Sequence, residues 1–298
     1  MIEQTTCDSR QYRFAYPLQA ASDVPGDFSI SFPADGWLSA IFIPGDTEAL
    51  WKPPEYPPRI YTLTHDTIMV YSHRTADDAP LEVSLHDLMA ISTEKALLFG
   101  VIEFHAKYSS QAFRYNTLHQ KHLNRFLCAL RSVWLPPHGM WLPAISLSQA
   151  TEGMTFRCWY ALQAELDVDE ELFGICCRTS IRPEKKGWFH RIPQALSAVL
   201  LAATNHRLIA ISTGTGETDD LYGIVVRYAP TDNLKAAEIN SSANGFELSL
   251  ELKNGHDWKF LFEDNQRTSA SCFLNLLGLL KPTMREVAAD SLPPEELI

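Results

Sequence analysis

The sequence lacks most of the patterns that announce a chemistry. It has no C-x-x-C pair, no H-E-x-x-H, no G-x-S-x-G, no P-loop and no paired-carboxylate signature among its 298 residues, which leaves no metal site, activated serine or nucleotide cradle to infer from motif alone. Cations are scarce as well: 25 Lys and Arg stand against 36 Asp and Glu, a net charge of −11. The deficit is shared, with 11 basic against 15 acidic residues up to position 149 and 14 against 21 beyond it. A surface without basic excess argues against nucleic acid and anionic membranes as partners. Long apolar runs are also missing. The longest, Ala195 to Ala203 interrupted only by Ser197, falls well short of the roughly 18 to 20 residues that span a bilayer. The opening Met1-Ile2-Glu3-Gln4-Thr5-Thr6 has neither the basic start nor the apolar run of a secretory leader, so a cytoplasmic protein is expected.

Six cysteines (Cys7, Cys128, Cys158, Cys176, Cys177, Cys272) fit free thiols in a reducing compartment. Cys128 and Cys272 fall in amphipathic helical patterns and are expected to face a core. The adjacent Cys176 and Cys177 fall in a strand pattern, which points their side chains to opposite faces.

What is present is β-pattern followed by helix, twice. Period-two alternation marks strands at Tyr12–Tyr16, Phe28–Phe32, Trp37–Ile43, Ile60–Leu63, Ile68–Ser72, Leu81–Leu85, Val101–Lys107 and Ala112–Tyr115. From Thr117 to Leu135 the pattern turns helical, with Leu118, Phe126, Leu127, Leu130, Val133 and Trp134 on one stripe and Asn116 or Thr117 as cap. The second half offers strands at Thr155–Leu166, Leu172–Arg178, Ala198–Ala203, Leu208–Ser212, Ile224–Tyr228, Phe246–Lys253 and Trp258–Phe262. A helix follows from about Gln266 to Leu280, capped by Asp264 or Asn265.

The two halves also match in residues. Ile60-Tyr-Thr-Leu-Thr64 through Ser72 aligns without a gap on Leu200-Leu-Ala-Ala-Thr204 through Ser212, an offset of 140. Phe126-Leu127 matches Phe273-Leu274 at an offset of 147. A fixed order of elements at a nearly fixed offset indicates duplication. The expected organisation is a domain at 10–136, a Pro-containing linker at 137–150, a second domain at 151–282 and a tail at 283–298.

Each half thus reads as about seven antiparallel strands closed by one C-terminal helix. With Leu201-Ala-Ala-Thr204-Asn205-His206-Arg207-Leu208-Ile209-Ala210-Ile211 and Asp232-Asn233-Leu234-Lys235-Ala236-Ala237-Glu238, the chain resembles bacterial pleckstrin-homology-like (PH-like, GRAM-like) domains. The first half departs from that pattern in carrying Thr67 where the second carries Arg207. The resemblance implies a mainly β fold of two PH-like barrels in tandem, and a binding or scaffolding role without chemistry or cofactor. A protein or peptide partner, or self-association, is then expected. Two alternatives stand beside it: a ligand or enzyme site at the interdomain junction, and peripheral membrane attachment through the loop 182–191.

That loop is the single basic cluster: Arg182, Lys185, Lys186 and Arg191, interleaved with Trp188, Phe189 and His190. It is the candidate ligand or partner site, weighed against a solvated loop. The equivalent first-half stretch, Gly45 to Lys52, is acidic. Gly214-Thr215-Gly216 lacks the following helix that a phosphate-binding turn requires. His119 and His122 lie three apart on the first helix, beside Lys121 and Asn124, and read as a wet face; two imidazoles make no metal site. Trp134 and Trp141 flank the linker and are candidates for interdomain packing. Glu170-Glu171 reads as a charged strand entrance.

Overall fold

The computed structural model describes residues 15–26, 28, 30, 36–45, 57–72, 80–96, 99–135, 142–146, 154–167, 169–179, 197–213, 223–242 and 245–280. The fold is mainly β, in three antiparallel sheets. The first half supplies a short β1 (Tyr16–Pro17), then β2 (Ser39–Ile43), β3 (Arg59–Leu63), β4 (Thr67–Ser72), β5 (Leu81–Ser84), β6 (Leu88–Lys95), β7 (Phe99–Ala106), β8 (Ser110–Asn116) and helix α1 (Gln120–Trp134). The second half supplies helix α2 (Phe156–Glu165), β9 (Leu172–Arg178), β10 (Val199–Thr204), β11 (Arg207–Thr213), β12 (Ile224–Pro230), β13 (Leu234–Ser242), β14 (Gly245–Leu252), β15 (Asp257–Phe262) and α3 (Arg267–Leu280). The strand orders are β1-β2-β3-β4-β5, β8-β7-β6-β12-β11-β10-β9 and β13-β14-β15. Among the described residues no sheet closes on itself.

Duplication is visible in register. β3 pairs Ile60 with Tyr71 and Leu63 with Ile68; adding 140 to each number gives Leu200 with Ile211 and Ala203 with Leu208, the pairs that β10 and β11 form. The turns repeat too. Thr64 Oγ1 accepts the Thr67 N–H at 3.1 Å, and Thr204 Oγ1 accepts the Arg207 N–H at 3.0 Å, so one hydroxyl fixes each hairpin. Downstream, β6 and β13 start 146 apart, as do β7 and β14, and the helices α1 and α3 start 147 apart.

The chain divides into two units: residues 1–88, 97–102 and 111–136, and residues 89–96, 103–110 and 137–298. In the first, Tyr61 makes an edge-to-face contact with Phe113 and a tilted one with Phe126, with ring centroids 5.8 and 5.9 Å apart. In the second, Phe246, Leu248, Leu250, Trp258, Phe260 and Phe262 of β14 and β15 form one apolar cluster with Leu201, Leu208, Phe273 and Leu277. Here the gap between β9 and β15 is bridged by side chains, not by a ladder. Arg178 donates to the carbonyls of Leu261 and Ser197, and Gln266 donates to the Cys177 carbonyl at 3.0 Å.

Several expectations need correction. Thr155–Leu166 is a helix, not a strand: Thr155 caps it by accepting the Cys158 N–H, and its buried positions Cys158, Leu162 and Glu165 recur at helical spacing. Cys128 and Cys272 are exposed, because the stripes of α1 and α3 face the other way. Leu118, counted in the first helical stripe, is 81% exposed, since Thr117–His119 is a separate 3-10 turn capped by Asn116. The turn before α3 is capped by Glu263 and Gln266, not by Asp264 or Asn265. Two strands, β6 and β13, are missing from the expected set. Tyr12 to Phe14 lie outside the described residues, as do most of Phe28–Phe32; Phe28 and Ile30 pack against Leu18, Ala40, Phe42 and Ile60.

The second unit is organised around a buried ion pair. Arg207, whose side chain is 1% exposed, meets a Glu170 side chain that is equally buried. Its Nε donates to Glu170 Oε1 at 2.9 Å and its Nη2 to Oε2 at 2.7 Å and to the Glu165 carbonyl at 2.5 Å. Thr204 Oγ1 donates to Glu170 at 2.6 Å, and the guanidinium lies 5.1 Å from the centre of the Tyr228 ring. Burial alone would raise the Glu170 carboxyl, but the Arg207 hydrogen bonds and charge, Thr204 and the Asp167 N–H hold it below the usual carboxylate range.

Removing one partner strands the other as a buried charge, so Arg207→Ala is expected to destabilise the fold by about 3–5 kcal/mol in urea unfolding at pH 7. Because Glu170 is depressed in the folded state, its stabilisation is full above its unfolded value of about 4.3 and fades as pH falls through the lower folded value. The stability gap between the native chain and Glu170→Gln should therefore shrink across that acid window. A gap that stays constant with pH would show that Glu170 is not the titrating partner.

Candidate functional site

β6 and β13 occupy the same place in the two halves, but their edges differ. β6 has β12 alongside it, pairing Tyr228 with Ile91, Arg227 with Ser92, Val226 with Thr93, Val225 with Glu94 and Ile224 with Lys95. Under that strand Ile91 and Thr93 are 0% and 1% exposed. β13 pairs only with β14 among the described residues, so no strand is described beside the other edge of Lys235–Ser242, the kind of edge that can template a further strand. Its core-facing Ala237 and Ile239, the counterparts of Ile91 and Thr93, pack on the apolar cluster but are only partly buried. Glu238, Asn240, Ser241 and Ser242 are exposed.

A second feature is polar. Ser92, opposite Arg227 on β6, has its Oγ 3.2 Å from His105 Nε2 and 3.4 Å from Glu103 Oε2. On its other side, His105 Nδ1 is 3.0 Å from Ser110 Oγ. His256 Nε2 approaches the same hydroxyl at 3.4 Å, with the two imidazole centroids 4.8 Å apart. The β14–β15 turn delivers His256 through Gly255, whose φ of +81° only glycine adopts readily. Desolvation lowers the His105 pKa, the Glu103 charge pulls it back up, and His256 and Arg227 lower it. His105 is therefore a neutral hydrogen-bonding ring at pH 7.

This arrangement does not have the order of an acyl-transfer triad, in which the carboxylate holds the ring nitrogen opposite the nucleophile. Here Glu103 lies 3.5 Å from the same Nε2 that Ser92 uses. Among the described residues no group of three His, Cys, Asp or Glu side chains is placed to hold a metal ion. Burial pushes the Cys176 thiol up to about 12, with Cys177 adding to the rise, which favours the neutral thiol over the thiolate.

The sequence-derived candidates are placed unevenly. Arg182, Lys185, Lys186, Trp188, His190, Arg191 and Trp141 lie outside the described residues, as do residues 214–222 and 46–56. Trp134 is 8% exposed and its indole N–H donates to the Leu88 carbonyl at 3.1 Å, a contact within the first unit. The expected wet face of α1 is half wrong. His119 is 6% exposed and its Nδ1 accepts the Ala15 N–H at 3.3 Å, while His122 is partly exposed. Glu170 stands charged just before β9, as expected, and is the buried partner of Arg207. Glu103 and His105 could be read in advance as two polar residues on one face of a strand. Nothing local announces His256.

No family model matches the chain, and no curated protein sequence matches it. No described helix is long and apolar enough to cross a membrane.

The charge balance at His105 can be checked by imidazole NMR. His105 should protonate below the free-imidazole value of about 6.5, and Glu103→Gln should lower it further by removing the one neighbour that favours the cation. A rise on that substitution would contradict the assignment.

Proposed function

We propose that the chain is a non-catalytic binding protein made of two tandem PH-like domains, which recognises an extended protein segment by strand addition along β13. The PH-like reading is supported by an order shared by the halves: four meandering strands (β2–β5 and β9–β12), three more (β6–β8 and β13–β15), and a C-terminal helix (α1 and α3). The recognition reading is carried by one observation, the contrast between β6, whose edge is filled by β12, and β13, whose equivalent edge has no strand beside it among the described residues. Main-chain hydrogen bonds along such an edge supply affinity, and alternate side chains supply selectivity. The exposed Glu238 and Asn240 and the outward-facing polar run at Ser241 and Ser242 keep the edge wet and the protein soluble until a partner arrives.

The test is to pan a random-peptide display library on the full-length protein and to map the bound ligands by hydrogen exchange. Protection confined to residues 235–242 is the expected result. Ligands that protect only other segments, or a library that yields none, would overturn strand addition.

A further inference from the structure

Resting on the strand-addition reading, we infer that the segment β13 takes carries a cation flanked by a β-branched residue and an aromatic one, in the pattern of Val226-Arg227-Tyr228. The chain contains its own template for the occupant. β12 sits against β6 in a defined antiparallel register, and β6 and β13 begin 146 residues apart at Leu88 and Leu234. Adding 146 to the β6 positions transfers the register to β13. An incoming strand then places its Val226-like side chain opposite Ile239, its Arg227-like side chain opposite Glu238, and its Tyr228-like side chain opposite Ala237.

Each of these positions has a physical reason. Side chains directly opposite in an antiparallel pair share a face. The Val and Tyr positions therefore lie on the core side, next to Ala237 and Ile239, which are partly buried and packed on the apolar cluster. In β6, Ile91 faces Tyr228; Ala237 is smaller and leaves more room for an aromatic ring. On the other face the template arginine opposes neutral Ser92, whereas in β13 it would oppose Glu238, which is exposed and has no basic residue across from it in β14, where its partner is Ser249. Opposite charges across a strand pair favour each other, and like charges there are destabilising.

A second copy of this chain supplies a poor occupant. β12 is already paired on both sides, by β11 and β6. Its first-half counterpart β5 pairs Thr67 with Ser84, as β11 pairs Arg207 with Pro230, so Pro80 falls at the Val226 position, Leu81 at the Arg227 position and Glu82 at the Tyr228 position. Proline removes a ladder donor, and neither a cation nor an aromatic ring is offered.

The probe is a fluorescent peptide reproducing Ile224–Ala229, titrated against the full-length protein by anisotropy. Binding with hydrogen-exchange protection at 237–241 is expected. A peptide with Arg227→Glu should bind roughly two- to five-fold more weakly, the range of an exposed cross-strand charge pair. On the Glu238→Lys protein that preference should reverse, and because Glu238 is an exposed surface side chain this variant keeps the fold. Peptide binding that ignores Glu238→Lys, as exchange with the resident β12 at β6 would, overturns the inference. So does protection of 236–242 in the free protein, which would mean that a second copy or residues 281–298 already fill the edge. If library ligands protect 235–242 but show no preference for the cation and aromatic pattern, strand addition stands and this specificity falls.

Discussion

Burying a guanidinium calls for an anion and hydrogen-bond acceptors, and the second unit supplies both to Nε and Nη2 of Arg207, leaving Nη1 buried without a hydrogen-bond partner among the described residues. Glu170 answers the charge, the Glu165 carbonyl ends α2 on the same nitrogen that Glu170 uses, and Thr204 holds both the carboxylate and the hairpin turn. One side chain therefore joins the β10–β11 hairpin, the entrance to β9 and the C-terminus of α2. Lys95 extends the set by pairing with Glu165 at 3.0 Å, which brings in β6. The first half has Thr67 at the Arg207 position and makes the same hairpin register without an ion pair. The charge is thus not needed to form the hairpin. Its role is to attach elements without a counterpart among the described residues of the first half, α2 above all.

The legibility of the fold follows from how each segment is buried. The hairpins at 60–72 and 200–212 are read correctly because their apolar strands flank a Thr-led turn whose hydroxyl is locally hydrogen-bonded, so pattern and turn chemistry agree. The helices α1 and α3 are legible from stripes such as Phe126, Leu127 and Leu130. The same strand escapes notice in both halves. β6 reads Leu-Met-Ala-Ile-Ser-Thr-Glu-Lys and β13 reads Leu-Lys-Ala-Ala-Glu-Ile-Asn-Ser-Ser; alanine, lysine and glutamate are weak strand formers, and the ladder beside them overrides that preference. The 155–166 error has the opposite origin. Its aromatic residues Phe156, Trp159 and Tyr160 resemble strand composition, but they cluster in stacked and edge-to-face contacts on one side of a helix, with Phe156 and Tyr160 exposed.

The candidate site was less legible than the fold for the same reason. An open edge is a property of what lies beside a strand, and no residue in β13 encodes the absence of a neighbour. It becomes visible through the duplication, because β6 shows what a filled edge looks like in an otherwise equivalent strand. Ile91 at 0% exposure and a partly exposed Ala237 are the same position in two states of pairing. The cluster around His105 is similarly invisible to local pattern, since His256 arrives from a turn about 150 residues further on.

The pairing of β6 with β12 also sets a timetable for synthesis. Ile91 and Tyr228 face each other across 137 residues of chain, so β6 leaves the ribosome with its edge unfilled and keeps it so until β12 follows. At elongation rates of about 5–20 residues per second that interval lasts roughly 7–27 s. During it the nascent first half carries an edge without its strand, where neighbouring chains on one message can pair out of turn. Lys95 and Glu94 at the end of β6 set charges on that edge while it waits.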